Sequence, residues 1–125
     1  MQNYPVGDFL IRIKNSALAK NKEVEVCKSR FVKEVAKTLK DEGFINLIEE
    51  KKGKLKVTLA YSHKRPVVMD IKLVSKPGLR IYKTADELAK AKGPSIFLIS
   101  TPKGVLSSRK AVKERVGGEV LAEIL

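Results

Sequence analysis

The spacing of apolar residues changes at Gly43, and that change limits what the chain can build. Before it the period is helical. Pro5 suits the first turn of a helix, and Val6, Leu10, Ile13 and Ala17 recur at i, i+4, i+7 and i+11, with Asp8, Arg12, Asn15 and Ala19 on the opposite face. This predicts an amphipathic helix over residues 5–19. Ser29 is placed to cap a second helix whose apolar face is Val32, Val35, Ala36 and Leu39, and Gly43 ends it as a left-handed C-terminal residue.

After Gly43 the period is two. Phe44–Glu50, Leu55–Tyr61 and Val67–Val74 read as strands, with Lys52-Gly53 turning the first hairpin. Two helices and a meander make one α+β unit. Ser75-Lys76-Pro77-Gly78 then breaks the pattern with a proline that cannot donate and a permissive glycine, which sets the expected boundary between a domain of residues 1–75 and one of residues 76–125. In the second unit Leu79–Lys83 reads as a short strand, and Thr84 with Glu87 forms a capping box that opens a helix of about two turns. Gly93-Pro94 stops that helix before the apolar run Ile96–Ile99. Val105-Leu106, a short basic helix capped by Ser107 or Ser108, and a final strand Val120–Leu125 complete an α+β fold of two small domains packed together, each with a small, mostly antiparallel sheet.

Charge narrows the function. The chain has 26 Lys and Arg against 14 Asp and Glu, a net charge of +12, and both halves share the excess. A polyanionic partner is implied. A single cysteine cannot form an intramolecular disulfide, the N-terminus has no leader pattern, and no apolar run approaches the ~18 residues of a membrane span, so the expected address is cytoplasmic, with no membrane partner.

Catalytic groups are scarce. His63 lies in a turn beside Lys64 and Arg65 with no neighbour to orient it as a base. Cys27 reads as a small buried thiol ahead of the second helix. One Cys and one His cannot make a zinc site, and no acidic loop fits calcium, so neither a metal nor a cofactor is expected. An enzyme using His63 or Cys27 is one weaker alternative, and another kind of nucleic-acid-binding module, such as a DNA-binding one, is a second.

The abrupt passage from Ile96–Ile99 to Ser100-Thr101-Pro102-Lys103-Gly104 is the most suggestive local feature. It fails as a nucleotide phosphate loop, because its lysine precedes the glycine and Pro102 removes a donor. Its two hydroxyls and lysine suit sugars, base edges and phosphates, yet its composition fits an ordinary hairpin turn equally well. Arg80 and Tyr82, two apart on the predicted strand, would share one face and offer a guanidinium and a ring for stacking. Lys76, Lys83, Lys103, Arg109 and Lys110 add cations in or beside the same loops, and together they favour a nucleic acid.

Taken as a set, Lys76–Lys83 ("KPGLRIYK"), Asp86–Leu88 ("DEL"), Ile99–Arg109 ("ISTPKGVLSSR") and Gly117–Leu121 ("GGEVL") resemble the bacterial ribosomal protein S-eight family, in order and approximate spacing. Weaker similarity at Leu10–Asn15 and Leu39–Ile45 extends the resemblance over nearly the whole length. It implies a structural, non-catalytic protein of the small ribosomal subunit that binds the central domain of its ribosomal RNA early in assembly, beside other small-subunit proteins. It also implies, in many members, binding of a messenger as a translational repressor.

Carried over position by position, the resemblance implies RNA contacts from Arg80 and Tyr82, from Ser100, Thr101, Pro102, Lys103 and Gly104, and from Gly117, Gly118 and Glu119, with Lys83 beside them. Arg12, Lys14 and Asn15 on the first helix are expected to touch RNA backbone. The family usually has serine where Pro102 stands, so one hydroxyl and one donor are absent here.

Overall fold

The computed structural model describes residues 4–91 and 93–125. Residues 1–3 of the expected first domain, and Lys92, lie outside the described residues. The chain separates into two compact units that divide between Asp70 and Ile71.

In the N-terminal unit, α1 (Pro5–Leu18) and α2 (Arg30–Asp41) accompany a three-stranded antiparallel sheet of β1 (Glu23–Cys27), β2 (Ile45–Lys51) and β3 (Lys54–Leu59), ordered β1-β3-β2. The helices follow their periodicity. Val6, Phe9, Leu10, Ile13 and Ala17 of α1 and Val32, Val35, Ala36 and Leu39 of α2 are buried with Leu55, Val57 and Leu59 of the central strand. The Ser29 hydroxyl caps α2 by accepting the Val32 N–H at 3.1 Å, and Gly43 leaves the helix at φ +86°. The strand expected to run through Tyr61 breaks at Ala60, and β4 (Tyr61–Ser62) and β5 (Arg65–Pro66) form a separate small hairpin. Its turn holds His63 and Lys64, both left-handed.

The C-terminal unit is built on β10 (Gly118–Ile124), which pairs antiparallel with β6 (Ile71–Leu73), β7 (Tyr82–Lys83) and β8 (Ile96–Thr101). β9 (Gly104–Ser107) pairs with the far edge of β8. The short helices α3 (Ala85–Lys90) and α4 (Ser108–Lys113) cover one face, with Leu88, Ile99, Leu106, Ala111 and Val120 as the core beneath them. Thr84 and Glu87 make the capping box, and Ser107 caps α4.

Three expectations need correction. The third strand is only Ile71–Leu73, and it belongs to the second sheet, because β10 offers it an unoccupied edge from Ala122 to Ile124. That pairing places Ile71–Leu73 in the same compact unit as β10. The Leu79–Lys83 segment is a strand only at Tyr82–Lys83: the buried Ser75 hydroxyl accepts the Ile81 N–H at 2.9 Å in place of a strand carbonyl, and shares the Ile81 carbonyl, at 3.3 Å, with the Val120 N–H of β10, at 2.8 Å. Cys27 is exposed, since β1 turns Val24 toward the core and leaves Cys27 on the alternate face with Glu23 and Glu25. No helix among the described residues is long and apolar enough to cross a membrane.

Candidate nucleic-acid interface

The start of β10 carries two glycines for a steric reason. A Cβ on Gly118 would collide with the Ser100 carbonyl oxygen and reach Thr101 Cα at 3.2 Å, and one on Gly117 would collide with the Lys83 carbonyl oxygen and lie 2.7 Å from Thr84 Cα. Backbone atoms fill the space a side chain would need. Without side chains there, the ends of β7 and β8 both close onto β10, and Glu119 becomes the first residue of the strand to present a side chain.

Glu119 pairs with Tyr82 on one side and Ser100 on the other. Directly opposed residues of antiparallel strands project from one face, so Tyr82, Glu119 and Ser100 form a row across three strands, on the face opposite the core of Ile99, Leu106 and Val120. Tyr82 is 67% exposed. The Arg80 guanidinium lies 3.2 Å from the Glu119 carboxylate, whose side chain is only 20% exposed, so an arginine, a carboxylate, a ring and a hydroxyl are gathered on a few strand positions.

The hairpin at the end of β8 is internally braced. The Thr101 hydroxyl donates to the Gly104 carbonyl at 2.8 Å and accepts the Lys103 N–H at 3.1 Å, while Pro102 fixes its own backbone angle. Thr101 pairs with Gly104, whose φ of +111° suits glycine. Of the two hydroxyls in the sequence motif, the one on Thr101 thus mainly holds the turn. Pro102 and Lys103 project exposed at the tip.

The candidates do not all share one side. Lys83 alternates with Tyr82 and sits on the helical side, its ammonium 5.8 Å from the centre of the Phe97 ring. There it borders an open groove lined also by Thr84, Asp86, Val112, Arg115 and the backbone of Gly117 and Gly118. Arg115 escaped the sequence reading. Its one signal was position, between a basic helix and the glycine pair, and it is exposed at φ +58° beyond the end of α4. Arg109, Lys110 and Lys113 are exposed on that helix.

The first-helix candidates belong to the other unit. Arg12 pairs with Asp8 at 3.1 Å and donates to the Glu25 carbonyl at 3.4 Å, and Lys14 pairs with Asp70 at 3.0 Å, while Asn15 is exposed. Arg12 and Lys14 therefore spend part of their charge within the protein. His63 is exposed in its turn, and no group of three or more metal-ligating side chains occurs among the described residues.

The family model described as ribosomal protein S8 matches residues 4–125. The chain is 41% identical over 121 residues to the small ribosomal subunit protein uS8 of Nitratidesulfovibrio vulgaris strain DP4, covering 96% of each chain. It is 44% identical over 124 residues to that of Wolbachia pipientis subsp. Culex pipiens, covering 95% of each. To that of Staphylococcus carnosus it is 40% identical over 126 residues, covering 96% of each.

Proposed function

Because the chain belongs to the ribosomal protein S8 family, whose members are structural constituents of the small ribosomal subunit and not enzymes, we propose that it binds ribosomal RNA of the central domain directly. The C-terminal unit makes the main contact and helps that RNA assemble. Its place is in the ribosome, in the cytoplasm, beside other small-subunit proteins and with ribosomal RNA.

The observation that carries this reading is the row Tyr82-Glu119-Ser100 with Arg80 paired to its central carboxylate. Tyr82 offers a ring for an unstacked base, Ser100 a hydroxyl for a 2′-hydroxyl or base edge, and Glu119 an acceptor for a base amino group. Arg80 offsets the repulsion that an isolated carboxylate would meet from phosphates. Lys103 at the hairpin tip, with the exposed cations of α4, supplies attraction to phosphate that is blind to sequence. A messenger folded into the same stem would meet the same groups, and its capture would repress translation.

Footprinting on total small-subunit RNA over a range of salt concentrations tests the proposal. Protection confined to one stem of the central domain, with an affinity that falls steeply as salt rises, is expected. Uniform protection along the RNA, or displacement from the stem by an equal concentration of duplex DNA, would refute it.

A further inference from the structure

Leu18, at the end of α1, and Met69 are 67% and 69% exposed, and both line one groove of about 330 Å³ in the N-terminal unit. Ala17, Pro66 and Val68 complete its apolar walls, and Lys20 and Arg65 stand at its edge. Neither large side chain is among the candidate RNA contacts. Scattered exposed apolar residues need no explanation, but two that share a concave site with further apolar walls do.

The fold holds the groove in shape. Lys20, left-handed at φ +59°, closes α1 by donating its N–H to the Ala17 carbonyl at 3.1 Å, and the Asn21 N–H reaches the Ser16 carbonyl at 2.8 Å. The Tyr61 hydroxyl then donates to the Asn21 carbonyl at 3.0 Å. That bond ties the β4–β5 hairpin, which carries Arg65 and Pro66, to the turn that carries Lys20.

Charge indicates the occupant. In this unit Arg12, Lys14, Lys28, Lys33, Lys54 and Lys56 each face a carboxylate; Lys20 and Arg65, like several other cations of the unit, have no ion-pair partner among the described residues, and these two stand beside the exposed apolar groove. We propose that the groove docks a segment of another small-subunit protein, one that sets an aliphatic or aromatic side chain between Leu18 and Met69 and carboxylates against Lys20 and Arg65. RNA would answer the two cations, but no aromatic ring lines the groove for its bases to stack on. A second copy related by a two-fold axis would bring Lys20 and Arg65 against their own like charges. The proposal rests on the chain's place in the small subunit and is independent of the RNA face.

The test uses small subunits reconstituted with this chain. Cys27 is the only cysteine, so Cys27→Ser with Met69→Cys allows a benzophenone maleimide to be attached at the groove alone. After irradiation, the cross-link should map to a peptide of another small-subunit protein with Asp or Glu adjacent to the attachment point. Adding Lys20→Glu and Arg65→Glu should lower the yield about fivefold or more, with RNA affinity of the isolated chain unchanged. If that reversed variant does not incorporate, Lys20→Gln with Arg65→Gln carries the same comparison with a smaller drop. A cross-link to RNA or to a second copy, a target peptide without carboxylates, no cross-link at all, or a yield indifferent to charge would overturn the proposal. Loss of RNA affinity in the unaltered chain would instead count against the RNA reading and leave this one standing.

Discussion

The Arg80 guanidinium lies 3.2 Å from the Glu119 carboxylate, where the ends of β7 and β8 both pair with β10. A carboxylate on a surface that meets phosphates is either a liability or a positioning group. The two possibilities have opposite signs. If Glu119 merely repels RNA, Glu119→Gln tightens binding; if it orients Arg80 and accepts from a base, the same change weakens binding to the cognate stem. We expect weakening by about tenfold, with stability altered by less than about 1 kcal/mol because the pair is partly solvated. Filter binding against cognate and mismatched stems, with a urea melt of each protein, reads both quantities.

Gly118→Ala should separate strand closure from side-chain chemistry. The added methyl meets the backbone of Ser100 and Thr101, which cannot rotate aside, so β8 and β10 must part at their paired ends. A loss of about 2 kcal/mol in urea denaturation is expected, with loss of RNA binding even though every polar contact group is still present. Unchanged stability would show that the strand ends yield at little cost.

At the hairpin tip the two candidate contacts should behave differently. Lys103 is exposed and answers phosphate, so Lys103→Ala should leave the urea midpoint unchanged and lower the slope of log affinity against log salt by about one. Thr101 makes two hydrogen bonds inside the turn, so Thr101→Val should destabilise by about 1 kcal/mol and weaken RNA binding through the shape of the loop. Thr101→Ser, which keeps the hydroxyl, should restore both. Failure of serine to rescue would mean that the methyl group and not the hydroxyl holds the turn.

Local rules make much of this fold legible in the sequence. The Ser29 cap, the Thr84–Glu87 capping box and the apolar stripes of α1 and α2 depend on residues a few positions apart, where spacing is informative. Pairing between distant segments was not legible. Nothing in Ile71–Leu73 says that its partner is Ala122–Ile124, and nothing in the spacing of Ser75 and Ile81 says that a side chain stands in for a strand. Of the candidate site, Arg80, Tyr82, Ser100 and Glu119 do converge, whereas Lys83 lies on the other side of the sheet because side chains alternate along β7. The internal use of Thr101, and of Arg12 and Lys14, required geometry, because composition does not distinguish a free cation from one already paired.

Acid should act on the N-terminal unit through Glu50. Its carboxylate accepts a hydrogen bond from the Lys28 ammonium at 2.7 Å and another from Lys33, and these partners, Lys28 foremost, hold its pKa at about 2 against an ordinary value of 4.5. A folded pKa below the unfolded one means that the stabilisation is complete above 4.5 and is lost progressively as pH falls toward 2, where the unfolded chain has taken up a proton that the folded one still refuses. Glu50→Gln removes the titrating group. The variant should therefore be less stable than the parent at neutral pH, and the gap should close across that acid interval, most visibly at low salt, because the site is partly solvated and screened. Replacing Lys28 by methionine should flatten the same limb more than replacing Lys33. Urea denaturation of the four proteins from pH 7 to pH 2 measures this; parallel curves for parent and Glu50→Gln would show that the two lysines do not hold the carboxylate in solution.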